Sequence, residues 1–439
     1  MTGMSDDAFP LGADVAGIGS RILRLRTLRQ ATQAHLAGDA FTRAYVSSIE
    51  GGKRTPSPRA TSHFAERLGV TMEDLCYPYE PGQRRDLRNS LAEARLTLSR
   101  GEVAQASEAY QEVVCAAGLH DDPELDAAGH CGLGLAARHQ GDPDRALMLF
   151  TKAEELLAGQ PLNVRLPAVM GRMGALFARG AITDALALAE DQLRTAQQTG
   201  QIAAQFALRA ATVLPLVERG DIDQAAAAAA AALAIAPQVK DPDVLAQGYY
   251  HVNRVLAAQA RYEEAEQVLT RAVALYGHLR LRTEVGMCHF AQGYLSARRG
   301  DLHQAEERLR HAAAVFAETK ALPRQVNATA ELAEVLRRMG DTEKAGALVE
   351  ECRALSHDYH DPEQAAELDR IGAHIAVDRA DDAGAEALFH GAIDRYQAIG
   401  ATLEVATTCR ILGDQMIQWG RTGEAAVVYR RGLMALEST

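Results

Sequence analysis

Apolar residues along this chain recur at three- and four-residue spacing and almost never alternate, a pattern that predicts helices throughout and essentially no sheet. Near the N-terminus, Ile18, Ile22, Leu25 and Leu28 form one such stripe within residues 18–30, with arginines on the other faces. Thr32 is placed to cap a short second helix, Gln33 to Ala37, and Gly38-Asp39 breaks it. Thr42 caps a third helix that runs to Glu50, with Val46 and Ile49 inward, and Gly51-Gly52 ends it. Pro56 and Pro58 bracket Ser57 ahead of a fourth helix, Arg59 to Leu68, which Gly69 stops before a last turn from Thr71 to Leu75. The first seventeen residues carry no such pattern and read as a disordered leader.

From residue 101 the pattern repeats. Gly101, Gly141, Gly180, Gly220, Ala260, Gly300, Gly340, Ala380 and Gly420 stand 39 or 40 residues apart. Five residues after each comes an alanine: Ala106, Ala146, Ala185, Ala225, Ala265, Ala305, Ala345, Ala385 and Ala425. Four residues further on, a large side chain usually follows, as at Tyr110, Phe150, Leu269, Leu309, Val349, Phe389 and Tyr429. Twelve residues before the alanine, a small one is common, as at Ala94, Gly134, Gly293, Ala333 and Gly413. The repeated unit is a pair of helices: the small residue closes helix A, and the alanine lets helix B approach closely.

Charge divides the chain differently. The net charge of −12 argues against a nucleic-acid partner until its distribution is considered. Between Ile18 and Arg59, Arg21, Arg24, Arg26, Arg29, Arg43, Lys53, Arg54 and Arg59 face only Asp39 and Glu50, a net +6, and −12 less +6 leaves −18 for the rest. A basic head on an acidic body suits a head that meets phosphate. Six cysteines without CxxC spacing indicate neither disulfides nor zinc and fit reduced, mostly buried thiols of a cytoplasmic protein. No stretch has the run of apolar residues needed to span a bilayer, so no membrane partner is expected.

The head segments RILRLRTLRQATQAHLA, TRAYVSSIEGGKRTPS and FAERLGVTMEDL resemble the Cro/repressor, or XRE, type of helix-turn-helix domain, here residues 18–79. The usual glycine in the turn before the third helix gives way to GDAF, residues 38–41, one residue shorter. The resemblance implies that the third helix enters the major groove of double-stranded DNA, with Arg43, Ala44, Ser47 and Ser48 reading bases and Arg43 suited to a bidentate contact with guanine. Gln33, Thr42, Tyr45, Lys53 and Arg54 would hold phosphates.

The 40-residue unit resembles a lengthened tetratricopeptide repeat, giving residues 80–439 as a repeat domain for ligand sensing and dimerisation. The fold expected is all-α: an N-terminal helix-turn-helix domain followed by a right-handed tetratricopeptide-like superhelix of about nine helix pairs, its inner surface lined by helices A. Positions 15 and 11 before the anchor alanine are one turn apart and should face inward. In the early repeats they are bland (Cys131 and Leu135, Met170 and Gly174, Ala210 and Leu214), whereas in the last five they are Tyr250 and Arg254, Phe290 and Tyr294, Ala330 and Glu334, Arg370 and His374, Arg410 and Asp414. Asn327 lies on the side of Ala330. Aromatic, cationic and hydrogen-bonding groups together suit an extended peptide, so the expected effector site is Tyr250, Arg254, Phe290, Tyr294, Asn327, Glu334, Arg370, His374, Arg410 and Asp414.

Head and body together resemble the peptide-responsive quorum-sensing regulators of bacteria. That likeness implies a homodimer on a palindromic operator, half-sites about 34 Å apart, with a peptide or small-molecule effector altering DNA binding. The alternative is a repeat domain that acts as a protein-docking scaffold tethered to DNA by the head. No catalytic cluster or Walker-type loop is present, so no enzymatic activity, cofactor or metal is expected. GLGLAA, residues 132–137, has no strand before it and reads as packing inside a helix; His357 and His360 read as an inter-repeat loop.

Overall fold

The structure is a computed structural model that describes residues 9–10, 12–356 and 361–437; His357 and His360 lie outside the described residues. Among the described residues every regular element is a helix. Five short helices form the head: α1 (Ile18–Leu28), α2 (Gln33–Ala37), α3 (Arg43–Glu50), α4 (Pro58–Leu68) and α5 (Met72–Cys76). The repeats follow as pairs: α6 (Gln83–Ser99) with α7 (Val103–Leu119), α8 (Pro123–His139) with α9 (Pro143–Leu156), and α10 (Leu162–Ala178) with α11 (Ile182–Gln198). Next come α12 (Ile202–Glu218) with α13 (Ile222–Ile235), α14 (Pro242–Ala258) with α15 (Tyr262–His278), and α16 (Arg282–Arg299) with α17 (Leu302–Glu318). The last three pairs are α18 (Leu322–Arg338) with α19 (Thr342–Leu355), α20 (Pro362–Asp378) with α21 (Asp382–Ala398), and α22 (Thr402–Gln418) with α23 (Thr422–Glu437).

Local chemistry sets the head's boundaries as the caps predict. Thr32, Thr42 and Ser57 accept hydrogen bonds from the backbone N–H groups of His35, Tyr45 and Ala60. Thr71 and Asp74 form a reciprocal capping box at α5. Gly38, the first residue of GDAF, closes α2 at φ +57° and Gly69 closes α4 at φ +60°, a region that costs other residues steric strain. Ile18, Ile22, Leu25, Val46, Ile49, Phe64 and Leu68 share one core, but Leu28 is a correction: it is 71% exposed, because α1 ends there and turns its last residue to solvent.

The leader is also corrected where it is described. Asp14 accepts a salt bridge from Arg21 at 2.7 Å, its backbone N–H donates to the Cys76 carbonyl, and Phe9, Ala13 and Val15 pack on the head's core. Apolar residues too few to show a period still dock when a buried arginine ties the chain down.

The head does not stand apart from the first repeats. Val113 and Ala117 of α7 and Leu125 of α8 belong to the same hydrophobic cluster as the head residues. Arg84, 2% exposed at the start of α6, fastens this junction. Its guanidinium donates to Asp122 at 2.6 and 3.2 Å and to Glu124 at 3.0 Å, pairs with Glu73 of α5, and lies 3.6 Å from the centre of the Tyr77 ring. Despite burial, which opposes its charge, the bond to Asp122 raises its pKa further above the usual arginine value. By density of contact the chain forms two compact units, one of residues 1–98 and 102–215, the other of residues 99–101 and 216–439. The change at Pro215 falls inside α12, where a ring without an N–H interrupts the helical ladder.

In the repeats, the periodic positions do what their spacing suggests. All nine small residues that end helix A have φ between +56° and +89°, including Ala260 and Ala380. All nine anchor alanines are buried. The small residue twelve positions earlier receives the large one four positions after the anchor: a Cβ on Gly134 would lie 2.8 Å from Phe150, on Gly293 2.7 Å from Leu309, and on Gly413 2.5 Å from Tyr429. GLGLAA lies within α8, where Gly132 and Gly134 take the rings of Tyr110 and Phe150. No helix among the described residues is long and apolar enough to cross a membrane.

Candidate nucleic-acid face and candidate effector cavity

The head presents α3 as its outward element. Val46 and Ile49 are fully buried, which turns Arg43, Ala44 and Ser47 to solvent and leaves Ser48 half-buried. Thr42, exposed at the N-terminus of α3, uses its oxygen as the cap and keeps its O–H to donate. Tyr45 is half-buried, its ring stacked on Phe41 at 5.2 Å and its hydroxyl unbonded, with Arg54 5.7 Å from the ring centre. Lys53 and Arg54 are exposed.

Gln33 is corrected. Its amide nitrogen donates to Glu50 at 2.7 Å, and Glu50 also takes a bidentate pair from Arg26 at 2.5 and 2.9 Å. Burial works to raise the Glu50 pKa, but the bonds from Arg26 and Gln33 outweigh it and hold the carboxyl below the usual range. Gln33 therefore ties α2 to the end of α3 with one of its two amide N–H groups and keeps the other to donate. The head's positive charge is thinner than its composition suggests, since Arg21, Arg24 and Arg26 pair with Asp14, Glu80 and Glu50. Arg29, Arg43, Lys53, Arg54 and Arg59 make no ion pair among the described residues.

The second unit contains a cavity of about 650 Å³, within the size range of small-ligand pockets. Its walls are the inward faces of consecutive helices A. Tyr294 comes from α16, Asn327 and Glu331 from α18, Asp361 through Arg370 from the start of α20, and Leu403 through Thr408 from α22, with Tyr396 of α21 behind them. Gln364, buried, donates to the Asn327 side-chain oxygen at 2.5 Å. Arg370 grips Glu367 at 2.6 to 3.0 Å, and Tyr396 donates to the same carboxylate at 2.9 Å. Burial first, then the charges of Glu367 and Glu334, push the Glu331 carboxyl up to about 7. Burial and the neighbouring Asp361 and Glu404 raise Glu363 as well.

Of the ten residues expected at the effector site, the cavity brings together Tyr294, Asn327 and Arg370. The others lie elsewhere. Phe290 packs into the hydrophobic core between repeats. Glu334 is held by Arg337, which also bridges to Asp378. His374 sets its ring edge-on to Phe389 at 5.3 Å, and burial lowers its pKa. Arg410 and Asp414 pair with each other at 2.9 Å on the exposed side of α22, where Asp414 also takes the Tyr429 hydroxyl. Tyr250 is half-buried and Arg254 exposed on α14, outside the cavity lining.

The error is one of phase. The residues that line the cavity recur eighteen positions before the anchor alanine, at Asn327, Glu367 and Thr407, and twenty-one before it, at Gln364 and Glu404. Expecting the inner face at fifteen and eleven positions rotated each helix A by about a turn's fraction, and only Arg370 and Tyr294 lie where the two faces overlap. The polar run in these registers of the last two repeats was the available signal.

Comparison with known structures bears on the fold. A Rap protein complexed with competence and sporulation factor superposes with a TM-score of 0.57 at 14% identity, over 81% of this chain and 98% of the other. The apo form of the quorum sensor NprR from B. thuringiensis gives 0.55 at 15% identity, over 80% and 99%. The apo form of RapI gives 0.51 at 14%, over 61% and 96%. The shared property is the tetratricopeptide-like fold. No protein-family model and no curated protein sequence matches the chain.

Proposed function

We propose that this chain is a sequence-specific DNA-binding transcription regulator whose repeat domain binds a short-peptide effector that alters DNA binding. The cavity in the last four repeats carries the reading: it is walled mostly by polar side chains of successive helices A, in a fold shared with a quorum sensor and with a Rap protein complexed with competence and sporulation factor. About 650 Å³ is the size for a few residues of extended chain, which favours sensing over docking. In the head, the exposed N-terminal half of α3 and the unpaired Arg29, Arg43, Lys53, Arg54 and Arg59 supply a groove-reading helix flanked by phosphate donors. Val427, Leu433 and Met434, exposed on α23, offer an apolar face for the homodimer that a palindromic operator requires. A cytoplasmic location and the absence of enzymatic activity belong to the same reading.

Selection of bound sequences from random duplex DNA tests it. The expected product is a palindrome with half-sites about one helical turn apart. Arg43→Ala should lose discrimination at one base pair, by about 1–3 kcal/mol. Lys53→Ala should weaken all sequences alike and flatten the salt dependence. Affinity without sequence preference, unchanged by Arg43→Ala, would overturn the base-reading role.

A further inference from the structure

The cavity holds more acid than the chain neutralises. Glu331, Asp361, Glu363, Glu367 and Glu404 line it, against Arg370 as the one cationic lining residue among the described residues. Arg370 is spent on Glu367, and Asp361 caps α20 by accepting from the backbone N–H groups of Glu363 and Gln364. The carboxyl groups of Glu331, Glu363 and Glu404 make neither a hydrogen bond nor an ion pair among the described residues. Gathering uncompensated carboxylates costs free energy through their mutual repulsion, and more so at the half-buried Glu331 and Glu404 than at the exposed Glu363.

A second, independent observation lies among them. Thr408 is 1% exposed and lines the cavity, and its hydroxyl has no hydrogen-bond partner. A helical threonine ordinarily satisfies itself on the carbonyl four residues back; this one does not. A buried hydroxyl left unsatisfied beside unpaired carboxylates matches a donor-rich ligand. A metal ion fits less well, since among the described residues no three His, Cys, Asp or Glu side chains converge closely enough to hold one.

We infer that the effector is cationic, and that it seats an ammonium or guanidinium group among Glu331, Glu363 and Glu404 with a neighbouring polar group hydrogen-bonded to Thr408. The inference rests on reading the cavity as the effector site and adds the charge of what enters. A peptide would bring the cation as its N-terminal ammonium or as a lysine or arginine side chain; a free polyamine would bring the same chemistry without a backbone.

The test uses the full chain and its Glu331→Gln, Glu404→Gln and Thr408→Val variants, each shown folded by its melting curve. Each is offered a degenerate pentapeptide library with free N-termini, the same library N-acetylated, and spermidine; capture is read by mass spectrometry and affinity by calorimetry. Enrichment of cationic pentapeptides by the unmodified protein, weakened about thirtyfold by Glu331→Gln or Glu404→Gln, is the expected result. Loss on acetylation assigns the cation to the N-terminus, and persistence assigns it to a side chain. Thr408→Val should weaken binding several-fold while raising the melting temperature, a pair of signs that a purely structural threonine would not give. Pentapeptides captured without charge preference would overturn the cationic inference and leave the peptide reading standing. Capture of spermidine alone, lost in Glu331→Gln, would support the cationic site and overturn the peptide reading. Capture of neither would overturn the cationic site.

Discussion

Two clusters of buried charge, one in each unit, are built from the same residue types and end in opposite states. Around Arg84, the carboxylates of Asp122, Glu73 and Glu124 surround one guanidinium, and Tyr77 covers its face. Every strong donor there has an acceptor, and the result is a fastening between α5, α6 and α8. Around Glu331, carboxylates outnumber cations, the arginine present is already occupied, and a hydroxyl is unbonded. Burial raises the cost of charge in both places; what differs is whether the chain itself supplies the partner. A closed cluster of this kind serves the fold, and an open one leaves its charges without partners from the chain.

Four substitutions would break or sharpen that contrast. The largest effect is expected at Arg84→Met, which strands Asp122 without its partner and should cost about 3–5 kcal/mol in chemical denaturation of the first unit. A loss under 1 kcal/mol would show that water already screens the cluster. Glu50→Gln opens the smaller closed pair with Arg26 and should cost about 2–3 kcal/mol at neutral pH. Because the Glu50 pKa is depressed, its contribution is present above the usual glutamate value of 4.5 and is lost as pH falls through its lower folded value.

Glu331→Gln should do the reverse and stabilise the ligand-free second unit above pH 7, by on the order of 2 kcal/mol. Its raised carboxyl favours the folded state below pH 4.5, and that advantage disappears as pH rises through about 7. Glu334 and Glu367, set against Arg370 and Arg298, are the charged groups whose fields act on it, with Asp361, Glu363 and Glu404 elsewhere in the lining. A pH–stability profile unchanged by the substitution would place Glu331 in water. The smallest effect is at Thr408→Val, where removing an unsatisfied hydroxyl should add about 1 kcal/mol; a loss instead would mean that the hydroxyl is bonded.

The head and the repeats were legible for different reasons. Caps at Thr32 and Thr42 act within three residues, so spacing alone reveals them, and both form; those at Ser57 and Thr71 work the same way but appear only in the structure. Anchor alanines and the small residues five positions before them are repeated nine times, which separates signal from accident. The cavity was legible only in part, through Tyr294, Asn327 and Arg370, because a helix has several faces and period alone does not say which one lines a concave wall. Gln33 illustrates the same gap: its place in the chain fits a phosphate contact, and only the approach of Glu50 from α3 engages one of its two amide N–H groups inside the head.

What the sequence determined by itself is the helical class, the order of head and repeats, and the register of each helix pair. These follow from interactions between residues close along the chain, or from a period that forces the same packing again and again. Tertiary structure decided which charges are closed and which are open. Arg84 meets Asp122 across 38 residues, and Gln364 meets Asn327 across 37; no local pattern encodes such meetings, since the electrostatic fate of a side chain depends on what the fold brings against it.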